Sequence, residues 1–228
     1  MTIDQVHALL ESQKNQRGIA YWEKAAPAAL KTFGLGLTQL KAIGKQIGKN
    51  HPLALELWKS PYYDAKTLAT IIDDPKQVSE AQVEEQIKDA DFWILSYSYC
   101  SNLLAKTSFA QKKMEAWTAS SDHLLRRCGY MLLYHLAKND KKLPDAYFAP
   151  YLDTIEKSLQ AEENFVKDAM NNALCAIGQR SKPLNTRAIA VVKKIGKVEV
   201  DYGDNSCQAL DCYKHLTAER VQQRFANA

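Results

Sequence analysis

Apolar residues recur at steps of three and four along almost the whole chain, and this spacing constrains the fold more than any other feature. Alternation of apolar and polar residues, which would indicate β-strands, is nearly absent. One apolar stripe predicts a helix over about 122–138, preceded by the helix-capping residues Ser120, Ser121 and Asp122. The sequence therefore predicts an all-α fold.

The same periodicity predicts twelve further helices separated by glycine and proline. Their ranges are about 3–14, 18–32, 37–49, 51–59, 62–73, 79–89, 91–106, 109–118, 145–159, 162–179, 184–196 and 208–226. Segment 198–207 is the exception, since a short alternation there leads into Gly, Asp, Asn and Ser. It is predicted to be an extended crossing loop followed by a turn.

Many short amphipathic helices with tight connections are typical of a helical-repeat solenoid of the ARM type or of an irregular bundle. Trp22, Trp58 and Trp93 lie 36 and 35 residues apart, which is close to the length of a two-helix repeat. No long linker interrupts the chain. We therefore expect one domain over 1–228, a curved solenoid with a concave binding face, with a compact bundle as the alternative.

Composition indicates an ordinary globular protein, with 46% hydrophobic and 25% charged residues among 228. No apolar run approaches the ~18 residues of a membrane helix, and Met1 to Gln13 lacks the pattern of a secretion signal. We expect a cytoplasmic protein without a membrane partner. The five scattered cysteines are expected to be reduced thiols.

Positive charge is concentrated near the carboxyl end of the sequence. Segment 179–198 contains no acid and carries the cations Arg180, Lys182, Arg187, Lys193, Lys194 and Lys197. Such a segment is either a solvated face or a surface for a polyanion. Arg126 and Arg127 form a second group, suited to phosphate oxygens or to a surface salt bridge.

Two helices carry polar or aromatic patterns that could form a site. Asp168 and Asn172 lie one turn apart on the helix over 162–179, either lining a groove or facing solvent. Trp93 and Tyr97 lie one turn apart on the helix over 91–106, with Asp89 a turn earlier; they either hold a cationic ligand or belong to the core.

Familiar cofactor and hydrolase motifs are missing. The chain has no glycine-rich phosphate loop, nucleophile elbow or H-E-x-x-H pattern. Cys207, Cys212 and His215 have metal-like spacing, but a fourth ligand with matching spacing is missing nearby. We expect neither a cofactor nor a metal.

Three stretches together resemble the AlkD-type DNA alkylation repair proteins, which are HEAT-like repeat solenoids. They are Gly34–Leu37 with Leu53–Trp58, Asp91–Trp93 with Trp117–Arg127, and Phe165–Gly178 with Ile195–Asp204. The resemblance implies a HEAT-like solenoid that binds double-stranded DNA on a concave basic face. It also implies hydrolysis of the N-glycosidic bond of cationic N3- or N7-alkylpurines, as a DNA N-glycosylase.

The family pattern has a Trp followed four residues later by an Asp, an Arg on the next repeat and a second Trp on a third. Trp93 and Arg127 match this pattern, whereas Tyr97 occupies the Asp position and Asn172 the position of the second Trp. Loss of one preorganised electrostatic group at a reacting centre commonly costs about 10²–10³ in rate. The usual mechanism is therefore not expected.

Three interpretations follow for what we expect to be a monomer. The first is a DNA-binding family member with weak, altered or absent glycosylase activity, in which Arg126, Arg127 and the 180–197 cations contact DNA. The second is a non-catalytic helical-repeat protein that binds a DNA structure or a protein partner. The third is a glycosylase with a relocated acid, for which Asp168, Asp201 and Asp204 are the candidates.

Overall fold

The computed structural model describes residues 1–25, 31–204 and 206–226. Across these residues the regular structure consists of fourteen α-helices, three short 3-10 helices and one isolated bridge between Lys31 and Tyr62. The prediction of an all-α fold is confirmed.

The α-helices follow the predicted periodic segments. They are α1 (Ile3–Ser12), α2 (Gln16–Ala25), α3 (Leu37–Ile47), α4 (His51–Trp58), α5 (Tyr63–Ile72), α6 (Glu80–Gln86), α7 (Trp93–Asn102), α8 (Ala110–Thr118), α9 (His123–Asn139), α10 (Asp145–Ser158), α11 (Asn164–Gly178), α12 (Lys182–Ile195), α13 (Cys212–Thr217) and α14 (Glu219–Ala226). The 3-10 helices are Ile87–Asp89, Leu104–Lys106 and Leu159–Ala161. The extended segment predicted at 198–207 carries no helix in its described part.

Short polar side chains start several helices where the sequence predicts a start. Asp122 accepts a hydrogen bond from the backbone N–H of Leu125 at the start of α9, and Ser181 accepts one from Leu184 at the start of α12. Pro183 lies in the first turn of α12, where its missing N–H removes no helical hydrogen bond. These caps satisfy N–H groups that have no partner within the helix.

Three of the predicted helices have ends that differ from those of the observed helices. The helix predicted over 208–226 is two helices, because the side-chain amides of Asn185 and Gln222 bond the Leu216 carbonyl and Ala218 is extended. The helix predicted over 91–106 begins at Trp93 and ends at Asn102, where the Asn102 side chain donates to the Thr70 hydroxyl on α5. These breaks depend on tertiary partners that the local sequence does not reveal.

The third case is the helix predicted over 18–32. Residues 26–30 of that range lie outside the described residues. Lys31 is extended rather than helical, since its N–H bonds the Pro61 carbonyl and its own carbonyl accepts from the N–H of Tyr63.

The chain divides into two compact units, Met1–Ala110 and Gln111–Ala228. The expectation of a single domain over 1–228 stays a prediction.

Helix α5 lies at the centre of the first unit. It packs against α3, α4 and α7, and all of its residues except Ile71 are buried. Each fully buried aliphatic side chain of this kind stabilises the fold by about 1.5–3 kcal/mol. The cost of this position is that the polar residues of α5 must find partners inside the protein.

Asp64 of α5 is fully buried and fastens the preceding chain to the helix. Its carboxylate accepts hydrogen bonds from the Thr32 hydroxyl at 2.7 Å, the Phe33 N–H at 2.7 Å and the Leu35 N–H at 2.8 Å. The segment from Thr32 to Leu35 has no helical or sheet partner in the described structure. The Asp64 carboxylate therefore supplies hydrogen-bond acceptors for the backbone N–H groups of this segment.

Helix α11 has the corresponding role in the second unit. It packs against α9, α10, α12 and α13, and every residue from Ala173 to Gly178 is buried. A Cβ on Gly178 would lie 2.6 Å from the Cβ of Ala188 on α12 and 2.7 Å from a methyl of Leu216 on α13. Glycine at this position therefore permits the close approach of three helices.

Replacing Asp64 with alanine should lower the free energy of unfolding by about 3–5 kcal/mol, because two buried N–H groups would lose their acceptors. Asp64→Asn retains one carbonyl oxygen and should lose less. Urea unfolding followed by circular dichroism measures both. A loss below about 1 kcal/mol for Asp64→Ala would contradict this role of the carboxylate.

Candidate functional site

Helix α7 presents Trp93 and Tyr97 away from the core of the first unit. Tyr97 is 46% exposed and Trp93 is partly buried, whereas Leu95 and Tyr99 on the opposite side are buried. The alternative that both aromatic residues are core residues is therefore wrong for Tyr97. Trp93 packs edge-on against Phe92, with ring centroids 6.5 Å apart.

Asp89 does not share the face of Trp93 and Tyr97 in the predicted way. It is the last residue of a separate 3-10 helix, and its carboxylate forms a salt bridge with the Lys66 ammonium at 2.8 Å. Lys66 also donates to the Trp58 carbonyl at 2.6 Å and lies over the Trp58 ring. The carboxylate is thus already neutralised by a lysine of the same unit.

The adjacent arginines of α9 have different environments. Arg126 forms a two-pronged ion pair with Glu162, at 2.8 to 3.1 Å, and donates to the carbonyls of Ser120 and Ser121. Arg127 is 5% exposed and lies on the buried side of the helix. Arg126 thus has the salt bridge that the sequence left as an alternative to phosphate binding.

Arg180, the first of the predicted cations after α11, is a structural side chain. It donates to the carbonyls of Ala137, Asp140 and Leu143 at 2.7 to 2.8 Å and stacks over the Phe148 ring. Its side chain is only 7% exposed. Because a guanidinium has five donors, one residue can join the end of α9 to the start of α10 in this way.

The cations of α12 and its end lie at the surface beside carboxylates. Arg187 pairs with Asp153 and Lys194 with Glu156, both on α10, and Lys197 pairs with Glu199 at 2.9 Å. The Lys193 ammonium lies over the Tyr213 ring at 5.7 Å. The sequence predicted the exposure of this face but not the acids of α10 that lie against it.

Asp168 and Asn172 lie together on α11, where they hold the segment that follows α12. Asn172 donates to the Asp168 carboxylate at 3.1 Å, and the Tyr202 hydroxyl donates to the same oxygen at 2.7 Å. Asn164 adds two hydrogen bonds to the backbone of Asp201. Sequence analysis did not identify the role of Tyr202. The one feature that could have indicated it is the presence of an aromatic residue within a polar loop.

Burial raises the pKa of the Asp168 carboxyl, and the hydrogen bonds from Tyr202 and Asn172 partly oppose this. Burial, together with the neighbouring Asp168, raises the pKa of the Tyr202 hydroxyl. The Tyr202 hydroxyl therefore keeps its proton and donates it in the hydrogen bond to Asp168. The pair is arranged to hold the loop on α11.

A cavity of about 920 Å³ lies between α11, the end of α12 and the segment leading to α13. Its wall includes Lys193 and Lys197 together with Glu199, Asp201 and Asp211. Positive and negative side chains are mixed in this wall. The cavity therefore has no charge pattern that selects an anion or a cation.

Among residues 1–25, 31–204 and 206–226, no cluster of three or more His, Cys, Asp or Glu side chains is arranged to hold a metal ion. Within the same ranges, no helix combines the length and hydropathy of a membrane span.

A protein-family model described as DNA alkylation repair enzyme matches residues 6–202. This chain belongs to the DNA alkylation repair family. The match extends over most of both units, and it confirms the relationship indicated by the three motif-bearing stretches.

Two relatives match this chain over nearly its whole length. Uncharacterized proteins Lin0241 of Listeria innocua and Lmo0209 of Listeria monocytogenes are 26% and 25% identical to this chain. Each alignment covers 96% of this chain and 98% of the relative. These relatives therefore share the full extent of this family member.

A solved structure is similar over 99% of this chain and 96% of its own, with 28% identity and a TM-score of 0.86. It comes from a family of proteins related to the HEAT-like repeat DNA glycosylases, with affinity for branched DNA structures. The fold of this DNA alkylation repair family member is a HEAT-like helical repeat, as predicted.

In this DNA alkylation repair family member, the residues matched to the family's catalytic pattern are divided between the two units. Trp93 and Tyr97 lie on α7 of the first unit, and Arg127 and Asn172 lie on α9 and α11 of the second. Tyr97 offers a phenol where the pattern has a carboxylate. Asn172 hydrogen-bonds Asp168 where the pattern has a second tryptophan.

The raised pKa of Asp168 predicts a specific pH dependence of stability. The folded carboxyl binds a proton more tightly than the unfolded one, whose pKa is about 3.9. Stability contributed at this position should therefore fall as pH rises from about 4 through the raised pKa, because the folded state binds more protons there. Asp168→Asn should remove that component.

Urea unfolding of both proteins at several pH values between about 4 and 7 measures this difference. A Tyr202→Phe variant should raise the pKa of Asp168 further, since it removes a hydrogen bond to the charged form. Carboxyl-carbon NMR titration reads that pKa directly. Parallel stability curves for the native protein and Asp168→Asn would contradict the burial of this carboxyl.

Proposed function

We propose that this protein binds branched DNA and does not excise alkylated bases by the mechanism of the AlkD-type glycosylases. The observation that carries the proposal is the similarity over 99% of the chain to a protein whose family is related to these glycosylases and has affinity for branched DNA. A similarity of this extent includes both units. We extend the DNA affinity of that family to this chain.

The chemistry of α7 supports binding over catalysis. A glycosylase must stabilise positive charge that develops on the sugar and must position a water, and a carboxylate performs both tasks. Tyr97 can stack and donate a hydrogen bond, but a phenol does not supply the negative charge of a carboxylate. An exposed Tyr97 beside Trp93 is suited to stacking against a nucleobase.

A relocated acid finds little support at Asp168. One oxygen of its carboxylate already accepts hydrogen bonds from Tyr202 and Asn172, and its elevated pKa results from burial. A carboxylate with these partners serves to hold the 198–204 segment. The relocated-acid hypothesis remains open to the excision test below.

The predicted DNA-contacting cations separate into two groups in this proposal. Arg126 and Arg180 use most of their donors on acceptors within the protein, and Arg127 is 5% exposed, so we assign all three structural roles. The cations of α12 and of the segment directly after it stay as candidates for phosphate contact. Arg187, Lys194 and Lys197 would exchange their carboxylate partners for phosphates. They are the partly exposed Arg187 and the exposed Lys193, Lys194 and Lys197.

The protein should bind a four-way junction at least about tenfold more tightly than a linear duplex of the same sequence at equal salt. Its affinity should fall steadily as salt rises, because each phosphate contact releases counterions. Fluorescence anisotropy with labelled junction and duplex measures both. Equal affinity for the two DNAs would contradict the preference for branches, and absence of binding would favour the protein-partner alternative.

The protein should release 7-methylguanine and 3-methyladenine from methylated duplex DNA no faster than a protein-free control, because the family's carboxylate is replaced by Tyr97. Single-turnover assays with chromatographic detection of the free base measure this release. Asp168→Asn serves as the matched variant. Release that this variant abolishes would establish Asp168 as a relocated acid and would refute the non-catalytic proposal.

A further inference from the structure

Four lysines of the first unit form a surface that sequence analysis did not identify. Lys41 and Lys45 lie one turn apart on the exposed side of α3, and Lys49 follows Gly48, which ends that helix. Lys106 is the last residue of the 3-10 helix after α7. All four side chains are exposed, and together we call them the α3 lysine surface.

Packing of α3 against α5 brings these lysines to one place. A Cβ on Gly44 would lie 2.5 Å from a methyl of Ile71, so glycine allows α3 to pack closely against the end of α5. The Lys49 ammonium donates to the carbonyls of Ile71 and Asp73, at 3.0 and 2.6 Å. Lys49 therefore lies at the carboxyl end of α5.

Lys106 reaches the same place from α7. Its ammonium donates to the Asn102 carbonyl at 2.7 Å, and the Asn102 side chain donates to the Thr70 hydroxyl on α5 at 3.0 Å. The ends of α5 and α7 are thus joined, each with one lysine on its terminal carbonyls. Helix carboxyl ends favour cations because of the helix dipole.

The Lys106 ammonium is repelled by the ammonium groups of Lys49 and Lys41. The pKa of Lys106 is lowered first by partial burial of its side chain, and then by the charges of Lys49 and Lys41. Within the described part of the chain, none of the four forms an ion pair.

The acids nearest to this surface do not neutralise it. The Asp73 carboxylate is buried. It is hydrogen-bonded to the His51 ring and accepts a hydrogen bond from the Gln82 amide. Asp74 lies within the electrostatic reach of Lys49, but its hydrogen bonds come from Gln77 and Lys76. By contrast, three cations of α12 and its end each have their own carboxylate.

We propose that the α3 lysine surface is a contact for the phosphate backbone of DNA. The repulsion between like charges that are held close together is relieved when a polyanion binds. Lysine ammonium groups are mobile point charges with three donors, so they bind phosphates without selecting a base sequence. This inference rests on the proposed DNA binding and adds a contact surface in the first unit, outside the cations predicted from the sequence.

The test removes three charges at this surface and compares them with three removed elsewhere. The variant is Lys41→Gln/Lys45→Gln/Lys106→Gln; Lys49 is kept because it bonds the end of α5. The control is Lys88→Gln/Lys142→Gln/Lys157→Gln, which changes the net charge equally at exposed lysines in other places. Thermal unfolding checks that both variants are folded.

The logarithm of the association constant for a four-way junction is measured against the logarithm of salt concentration. Each lost phosphate contact should reduce the slope by about 0.9, so the variant should lose about 2–3 in slope, while the control keeps the native slope. Affinity of the variant near 0.1 M salt should fall at least about tenfold. A slope equal to that of the control would overturn this inference.

Failure of the inference differs visibly from failure of the proposed function. If the native protein binds no DNA, the proposed function is wrong and this surface loses its ligand with it. If the native protein binds DNA and the variant binds equally well, only the lysine surface is excluded. The two results are read from the same titrations.

Lysine acetylation footprinting tests the surface without any substitution. Bound junction DNA should protect Lys41, Lys45 and Lys106 from an acetylating reagent, whereas Lys142 and Lys157 should react as they do in the free protein. Mass spectrometry reads the extent of modification at each position. Unchanged reactivity of all five lysines in a saturated complex would exclude the proposed contact.

Discussion

Helices α5 and α11 are buried on nearly every side, and the rest of each unit depends on this arrangement. A short helix cannot bury its apolar face alone, so it needs neighbours on several sides. α5 has α3, α4 and α7 around it, and α11 has α9, α10, α12 and α13. Such central helices leave no solvent to satisfy polar groups, which must be bonded inside the protein.

Polar side chains on or beside the central helices fasten irregular segments to them. Asp64 holds the chain at Thr32 to Leu35 against α5, while Asn164 and Asp168 hold the 198–204 segment against α11. Arg180 similarly joins the ends of two helices. Asp168 and Arg180, which the sequence indicates as candidate site residues, therefore stabilise the fold.

Charge has a different arrangement in the two units. In the second unit, most of the predicted cations have carboxylate or carbonyl partners, which lowers the local positive potential. In the first unit, Lys41, Lys45, Lys49 and Lys106 lie together without ion pairs among the described residues. A DNA-binding function would use the exposed cations of both units. The lysines of the first unit are the less neutralised of the two groups.

The sequence by itself determined the helical class, the family and most helix starts, because periodicity, caps and proline positions are local signals. It also placed the extended segment near 198–207 and the replacement of the family carboxylate by Tyr97. Only the tertiary structure decided that α13 and α14 are separate, since the partners of the Leu216 carbonyl come from Asn185 and Gln222. It likewise decided which charges are neutralised, because an ion pair such as Arg126–Glu162 joins residues 36 apart, and helix packing rather than sequence spacing brings them together.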